Sequence, residues 1–290
     1  MSSAPLTFSV KMCLQINVKF IGLEKQSVKS AIDCRHLTPN ALANLNVVQI
    51  AALKIKYNNQ SVNLDSVFDI TGEDTQRIVF RNNNESIALD YVGTNMATGE
   101  ITIESNAGDY CGFNLQSGTI HCLKNTADFA ACNMAGGQLN IDGNTGDFLG
   151  GASAGLRKGM RGGAVIVKGN AGDRVGDQMR RGLILIEGNV GDYCGSRMIA
   201  GTVGVLGTVG KYAGFSMQRG TLLFAKAPQN HATIQDCGMH TLPFLSLMFK
   251  SFAQYHTKFS SIKSQRVQRF VGDISNNGNG EILQFIDSPV

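Results

Sequence analysis

From residue 96 to residue 224 the apolar positions recur with a long, fixed period. Met96, Leu115, Met134, Met160, Met179, Met198 and Met217 are each followed, three residues later, by a glycine. The spacings are 19, 19, 26, 19, 19 and 19 residues. After each glycine the apolar side chains alternate: Ile101/Ile103, Ile120/Cys122, Leu139/Ile141, Val165/Val167, Ile184/Ile186, Val203/Val205 and Leu222/Phe224. Period-two alternation predicts a short strand with one face buried and the other open. A polar turn follows, with Asn106, Asn125, Asn144, Asn170 and Asn189 in register and Thr208 in the sixth unit. Then come Gly-Asp, an aromatic column (Tyr110, Phe129, Phe148, Tyr193, Tyr212) broken by Arg174, and a slot held by Cys111, Ala130, Leu149, Val175, Cys194 and Ala213. The aromatic column, being in register, reads as a core stack.

A fixed period of this length signals stacked units. A helix is hard to fit into the repeat, because each unit carries several glycines and each costs ~1 kcal/mol in a helix interior. Stacked coils put equivalent residues ~4.8 Å apart, so Asn amides bond to one another and aromatic rings stack, as in cross-β ladders. The expected fold is mainly β: a right-handed parallel β-helix of about seven 19-residue coils, ~34 Å long. It is flanked by a small N-terminal α/β cap and a C-terminal capping helix. The regions are 1–90 as N-terminal cap or docking region, 91–230 as β-helix, and 231–290 as helical cap and tail.

Within 1–90, FSVKMCLQINVKF alternates like a strand. TPNALANLNVVQIAAL (38–53) reads as one short helix with Thr38 as N-cap and Pro39 in its first turn. KIKYNNQSVNLDSVFDI reads as strand, turn, strand, and residues 67–93 add an irregular coil or two. CGMHTLPFLSLMFKSFAQY (237–255) reads as a helix capped by Thr241 that plugs the end of the stack. The tail beyond it is polar and peripheral.

The recurring Gly-Asn-x-Gly-Asp strings at 169–173 and 188–192 are corners rather than sites. No Gly-Lys-Ser/Thr follows, as a phosphate cradle requires, and the nonapeptide type of calcium-binding repeat has a period of nine. Cys111 and Cys194 share a slot with Ala, Leu and Val, which makes them core residues. Cys237 and His240 lack the second ligand pair of a zinc site. His121 reads as a plain strand-face residue. No catalytic, cofactor-binding or metal-ligating set emerges. A net charge of +4 does not argue for nucleic acid. The first twenty residues show no signal-peptide pattern, LPFLSLMF is too short to span a bilayer, and the seven cysteines form no CxxC pair. The expected compartment is the cytoplasm.

One irregularity stands out. The 26-residue spacing holds seven extra residues around GGASAGLRKGMRGG (150–163). Insertions in stacked-unit proteins map to loops on one face. From 157 to 181 there are seven basic residues against two acids, Asp173 and Asp177. Arg157, Lys158, Arg161, Arg180 and Arg181 are therefore the candidate contacts for an acidic partner surface or an anionic ligand.

The repeated Met-x-x-Gly and Gly-Asn-x-Gly-Asp unit resembles the glycine-rich β-helix domain of the glutamate synthase large subunit. With the Leu37-Thr38-Pro39 to Leu42 segment and DCGMHTLPFL (236–245), the chain is more similar to the glycine-rich structural subunit of formylmethanofuran dehydrogenase and of the bacterial formyltransferase/hydrolase complex. That resemblance implies a non-catalytic scaffold within a complex that moves formyl groups on a methanofuran-like carrier. Zinc, and in the dehydrogenase form molybdenum or tungsten with iron–sulfur clusters, would belong to other subunits, and no cofactor to this chain. Two other readings compete: a glutamate-synthase-like bridging domain acting in trans, and a stand-alone β-helix enzyme acting on polysaccharide.

Overall fold

The computed structural model describes residues 3–11, 30–58, 60–229, 231–276 and 278–286. The chain opens with β1 (Pro5–Val10), β2 (Ser30–Asp33), α1 (Pro39–Leu42), α2 (Val47–Ala51), β3 (Lys54–Tyr57) and β4 (Gln60–Asn63). A single turn α3 (Leu64–Val67), β5 (Phe68–Thr71), β6 (Asp74–Arg81) and β7 (Ile87–Asp90) follow. One strand per unit comes next: β8 (Glu100–Ile103), β9 (Thr119–Cys122), β10 (Gln138–Ile141), β11 (Arg161–Val167), β12 (Arg181–Ile186), β13 (Thr202–Val205) and β14 (Thr221–Phe224). The chain closes with β15 (Gln235–Thr241), α4 (Phe244–Ser251), β16 (Arg266–Gly272) and β17 (Gly280–Phe285). The protein is mainly β, and among the described residues it has a large, mostly parallel sheet in the order β15-β16-β17-β14-β13-β12-β11-β10-β9-β8-β6-β1-β5. A smaller sheet, β4-β3-β2-β7, lies beside its N-terminal end.

All seven strands expected from the alternation form, and they pair parallel and in register, for example Ile101 with Ile120 and Leu139 with Val165. The inward residues and the Met/Leu anchors are fully buried in one continuous core. The corners hold this register. Each Asn Oδ1 accepts the backbone N–H of the next unit's equivalent residue, from Asn106 to Asn125 (3.2 Å) through to Asn189 and Thr208 (2.8 Å). Amide-to-amide bonding, expected throughout, occurs at Asn106/Asn125 and Asn144/Asn170. The dominant bond is side chain to backbone, because the carbonyl oxygen lies level with the next rung's N–H. The Asp column does the same: Asp128 N–H to Asp109 Oδ1 (3.1 Å), and Lys211 N–H to Asp192 Oδ1 (2.7 Å). Bonding to corner amides offsets repulsion between stacked carboxylates.

The aromatic column is not core. Its rings are half-buried on the outside of the stack, and Tyr212 is 42% exposed. The column starts one unit earlier than expected, at Tyr91. Tyr91, Tyr110, Phe129 and Phe148 stack at 4.8–4.9 Å, and Tyr193 stacks on Tyr212 at 5.0 Å. Arg174 bridges the break, its guanidinium 5.8 Å from the Phe148 centroid and 4.6 Å from that of Tyr193. Every member has φ near +60°. That conformation costs ~1–2 kcal/mol for a side-chain-bearing residue, and ring stacking worth ~0.5–1.5 kcal/mol per pair offsets it.

Several other expectations are corrected. Residues 38–53 form two short helices, because Asn46 and Gln49 make a capping box (2.9 Å each way) that starts α2 afresh; Thr38 stands at the N-cap of α1 with Pro39 in its first turn, as expected, but its side chain makes no cap hydrogen bond. Residues 235–241 are strand β15, so α4 begins after Pro243 and Thr241 is not its cap. Helix α4 does not plug the stack. Leu245 and Phe249 pack with Phe252 and Phe259 against Ile166, Leu185 and Leu223, on the outward face of β11, β12 and β14. The open-face expectation therefore fails there: β8–β10 bury one face, whereas β11–β14 bury both. The polar-looking tail is integral. β17 pairs parallel with β14 (Leu222 with Ile282) and supplies the last rung, with Ile282 in the main core. In the strand expected over FSVKMCLQINVKF, residues 8–10 belong to β1, and 12–20 lie outside the described residues.

Candidate functional site

The extra residues between Leu149 and Met160 leave the stack and return to it with one register shift against β12, between Arg161 and Ala164, after which the 19-residue pairing resumes at Ala164 and Leu183. The Met160 N–H donates to Gly150 O (2.9 Å), the Gly159 N–H to Gln178 O (3.0 Å), and the Arg161 N–H to Met134 O (2.6 Å). The loop is also held from below: Asn133 Nδ2 donates to Ser153 Oγ (2.9 Å), and the Ser153 N–H donates to Asn133 Oδ1 (3.2 Å). Gly155 takes φ +82° with open space around it, and Leu156, 53% exposed, sits at the crest.

The structure brings the five candidate cations together. Arg157 and Lys158 are exposed on the loop, and Arg161 and Arg181 start β11 and β12 as register partners. Arg180 is half-buried, donates from Nη2 to Arg157 O (3.1 Å), and has a buried Nε without a hydrogen-bond partner. Arg161 Nη2 reaches Asn114 Oδ1 (2.9 Å). None of these five makes an ion pair among the described residues. Their basic neighbours are committed elsewhere: Arg174 to the aromatic column, Lys168 to Asp142 (2.7 Å), and Arg197 to buried Asp177, its Nε 3.0 Å from Oδ1. The loop roofs a hollow of about 480 Å³ between Phe113, Asn114, Leu156, Arg157, Lys158 and Arg161, with no acid in its lining. A hollow of about 760 Å³ on the loop's other side reaches Phe148 and Arg197.

This arrangement can hold an anion; it contains no nucleophile beside a base. The slot cysteines are inert as nucleophiles: burial raises Cys111 well above the ordinary thiol value and Cys194 to about 12. His240 Nε2 sits 3.1 Å from Cys237 O on its own exposed strand. His121 is more than a bare face residue, with Nε2 3.1 Å from Asp142 Oδ2. No three His, Cys, Asp or Glu residues converge to hold a metal ion among the described residues. From Tyr91 to Tyr193 the ring faces of the aromatic column are taken up by neighbouring rings, by Arg35 or by Arg174.

Sequence reasoning missed a cleft of about 450 Å³ at the N-terminal end of the stack, lined by Glu85, Asp90, Asn106, Asp109 and Lys124 among others. Burial pushes the Asp90 carboxyl up to about 6; the Asp109 N–H, which donates to it (3.0 Å), pulls the other way. The available signal was that Asp90 and Tyr91 stand one period, 19 residues, before Asp109 and Tyr110.

The family defined by the GXGXG motif matches residues 51–247. In structure, the protein is similar to a chain of the formyltransferase/hydrolase complex FhcABCD from Methylorubrum extorquens, crystallised in complex with methylofuran. The TM-score is 0.84 at 29% identity, over 97% of this chain and 99% of that one. No curated protein sequence matches the chain. Among the described residues, no helix is long and apolar enough to cross a membrane.

Proposed function

The chain belongs to the GXGXG motif family, and on that premise we propose that it is the non-catalytic structural subunit of a formyltransferase/hydrolase-type complex, equivalent to the glycine-rich structural subunit of formylmethanofuran dehydrogenase. One observation carries this reading. The likeness to a chain of FhcABCD runs end to end, over 97% of one chain and 99% of the other. It therefore takes in the excursions around α4 and the N-terminal sheet as well as the repeat, and these are where a stacked-unit protein is individual. In this role the partners are the catalytic subunits of the complex, in the cytoplasm, and the formyl group travels on a methanofuran-like carrier in one-carbon metabolism. Zinc belongs to an amidohydrolase-like partner. Molybdenum or tungsten with iron–sulfur clusters would mark the dehydrogenase form.

The in-register corners support the finer fold reading, a right-handed parallel β-helix of about seven coils, with 1–90 and 231–290 as its flanking regions. Arg157, Lys158, Arg161, Arg180 and Arg181 form the contact for a partner surface or for the anionic part of the carrier. Affinity purification of the tagged chain from its host, with mass spectrometry and metal analysis, tests the assignment. Amidohydrolase-like and formyltransferase-like chains with zinc are the expected companions; a clean monomer refutes it. Charge reversal at Arg157, Lys158, Arg180 and Arg181 that alters neither assembly nor carrier affinity removes the basic face from the account.

A further inference from the structure

We propose that the hollow under the 151–159 loop seats an extended acidic segment of a partner subunit, with one aliphatic side chain packed between Phe113 and Leu156. This rests on the subunit reading above and specifies its basic contact.

Three observations carry it. The hollow is preformed. Hydrogen bonds from Met160 to Gly150, Gly159 to Gln178, and between Asn133 and Ser153 close the loop through the chain's own groups, so a ligand meets little ordering cost. The charge is one-sided. Arg157, Lys158 and Arg161 line the hollow without an acid among them, and no ion pair relieves them among the described residues. Like charges held together are relieved when a carboxylate arrives, and guanidinium takes carboxylate in two-pronged fashion. The third observation separates a peptide from a bare polyanion. Leu156 is 53% exposed at the crest of the loop, with Phe113 across the hollow. A purely anionic chain would leave this aliphatic surface in water, and a purely apolar one would strip three cations of water without replacing it. A segment in which carboxylates flank one aliphatic residue satisfies both. A hollow of about 480 Å³ falls within the ~300–1,000 Å³ that ordinarily hold a compact ligand.

Lys158 makes the proposal testable in the native complex, because a carbodiimide joins an amine to a touching carboxylate without a spacer. The expected result, on digestion and mass spectrometry, is the peptide containing Lys158 joined to an Asp- or Glu-rich peptide of another subunit. Lys158→Arg, which keeps the charge, should abolish that link while leaving the complex assembled. Arg157→Glu with Arg161→Glu should weaken assembly at least tenfold at low salt and less at high salt, and Leu156→Ser several-fold at any salt. Circular dichroism should show all of these variants folded. Lys158 joined to a glutamyl group of a small carrier overturns the proposal in favour of the carrier. An intact complex with Lys158 unlinked overturns the proposal and leaves the subunit reading standing. Absence of any complex overturns both.

Discussion

Asp177 is 1% exposed, and its carboxylate is held by Ser196 Oγ (2.6 Å) and by the Arg197 guanidinium. Removing one partner of a buried pair leaves a charge without solvent. The Arg197 side chain is itself 47% exposed, so water can partly replace it. Arg197→Ala is expected to lower unfolding free energy by about 2–3 kcal/mol, less than the ~3–5 kcal/mol of a fully buried pair. Urea denaturation measures it, and adding Asp177→Asn should recover part of the loss. Asp90 makes a different prediction. Burial favours its protonated form, with a folded value of about 6 against ~3.9 when unfolded. The stability it contributes is therefore full below about pH 4 and lost as pH rises through about 6. Asp90→Asn keeps an oxygen for the Asp109 N–H and removes the titration. Its stability relative to wild type should grow between about pH 4 and 6 and level off above; a difference independent of pH contradicts the burial argument. The corner residues were legible in the sequence because each repeats one bond per rung. Asp90 and Tyr91 were not, because only half of their unit keeps the period: their corner stands 19 residues before the next, whereas β6 pairs Ile78 with Ile101, where the sequence has no Met-x-x-Gly anchor.

At the level of the unit, glycines that look alike in sequence do different work. Gly112 has φ +69°, but an added Cβ would meet nothing nearer than 3.5 Å. Ala131 already occupies the equivalent place at φ +53°. Gly118 has φ +87°, and its Cβ would fall 2.6 Å from the Gly99 carbonyl oxygen of the previous rung. Gly112→Ala should cost about 1 kcal/mol, and Gly118→Ala roughly 3 kcal/mol or more, both read from thermal unfolding. In α4 the contrast is between Phe249, 1% exposed in the outer core, and Leu247, 74% exposed. Phe249→Ala should cost about 3–4 kcal/mol and Leu247→Ser less than about 0.5 kcal/mol. The outer core was present in the sequence as a change of pattern. Thr102, His121 and Asn140 stand outward on β8–β10, whereas Ile166, Leu185 and Leu223 replace them on later strands. Alternation read strand by strand concealed this, since the inward positions dominate the period. Gly204, on the same outward row, stays small because Phe259 fills its space: a Cβ there would lie 2.7 Å from Phe259 Cε1.

Over the whole molecule, one column of buried side chains runs from Leu6 to Ile282, and a second core covers only the later half of the sheet. Protection should follow that division. Amides of Ile120, Leu139, Val165 and Ile184 should exchange slowest, and those of Ala154, Gly155, Arg157 and Lys158 fastest, since the former sit in the parallel ladder and the latter on an exposed loop. Equal protection of loop and ladder would contradict the preformed stack with a projecting loop. The five basic positions were legible as a charge imbalance. Their separation from Arg174 and Arg197 was not, because the partners of those two, an aromatic ring and Asp177, become neighbours only when units stack.

The last rung comes from far along the chain. β14 ends at Phe224, and the strand that pairs with it begins at Gly280, after an excursion that builds β15, α4 and β16. During synthesis, every nascent chain therefore passes through a stage in which Thr221–Phe224 is an open parallel edge, with Leu222 and Phe224 uncovered. An open apolar edge recruits other strands. A ribosome that stalls or a message that ends anywhere within those fifty-odd codons releases a polypeptide with nearly all its rungs and no lid. Such a fragment is expected to associate through that edge, whereas in the chain that carries β17 the edge is paired.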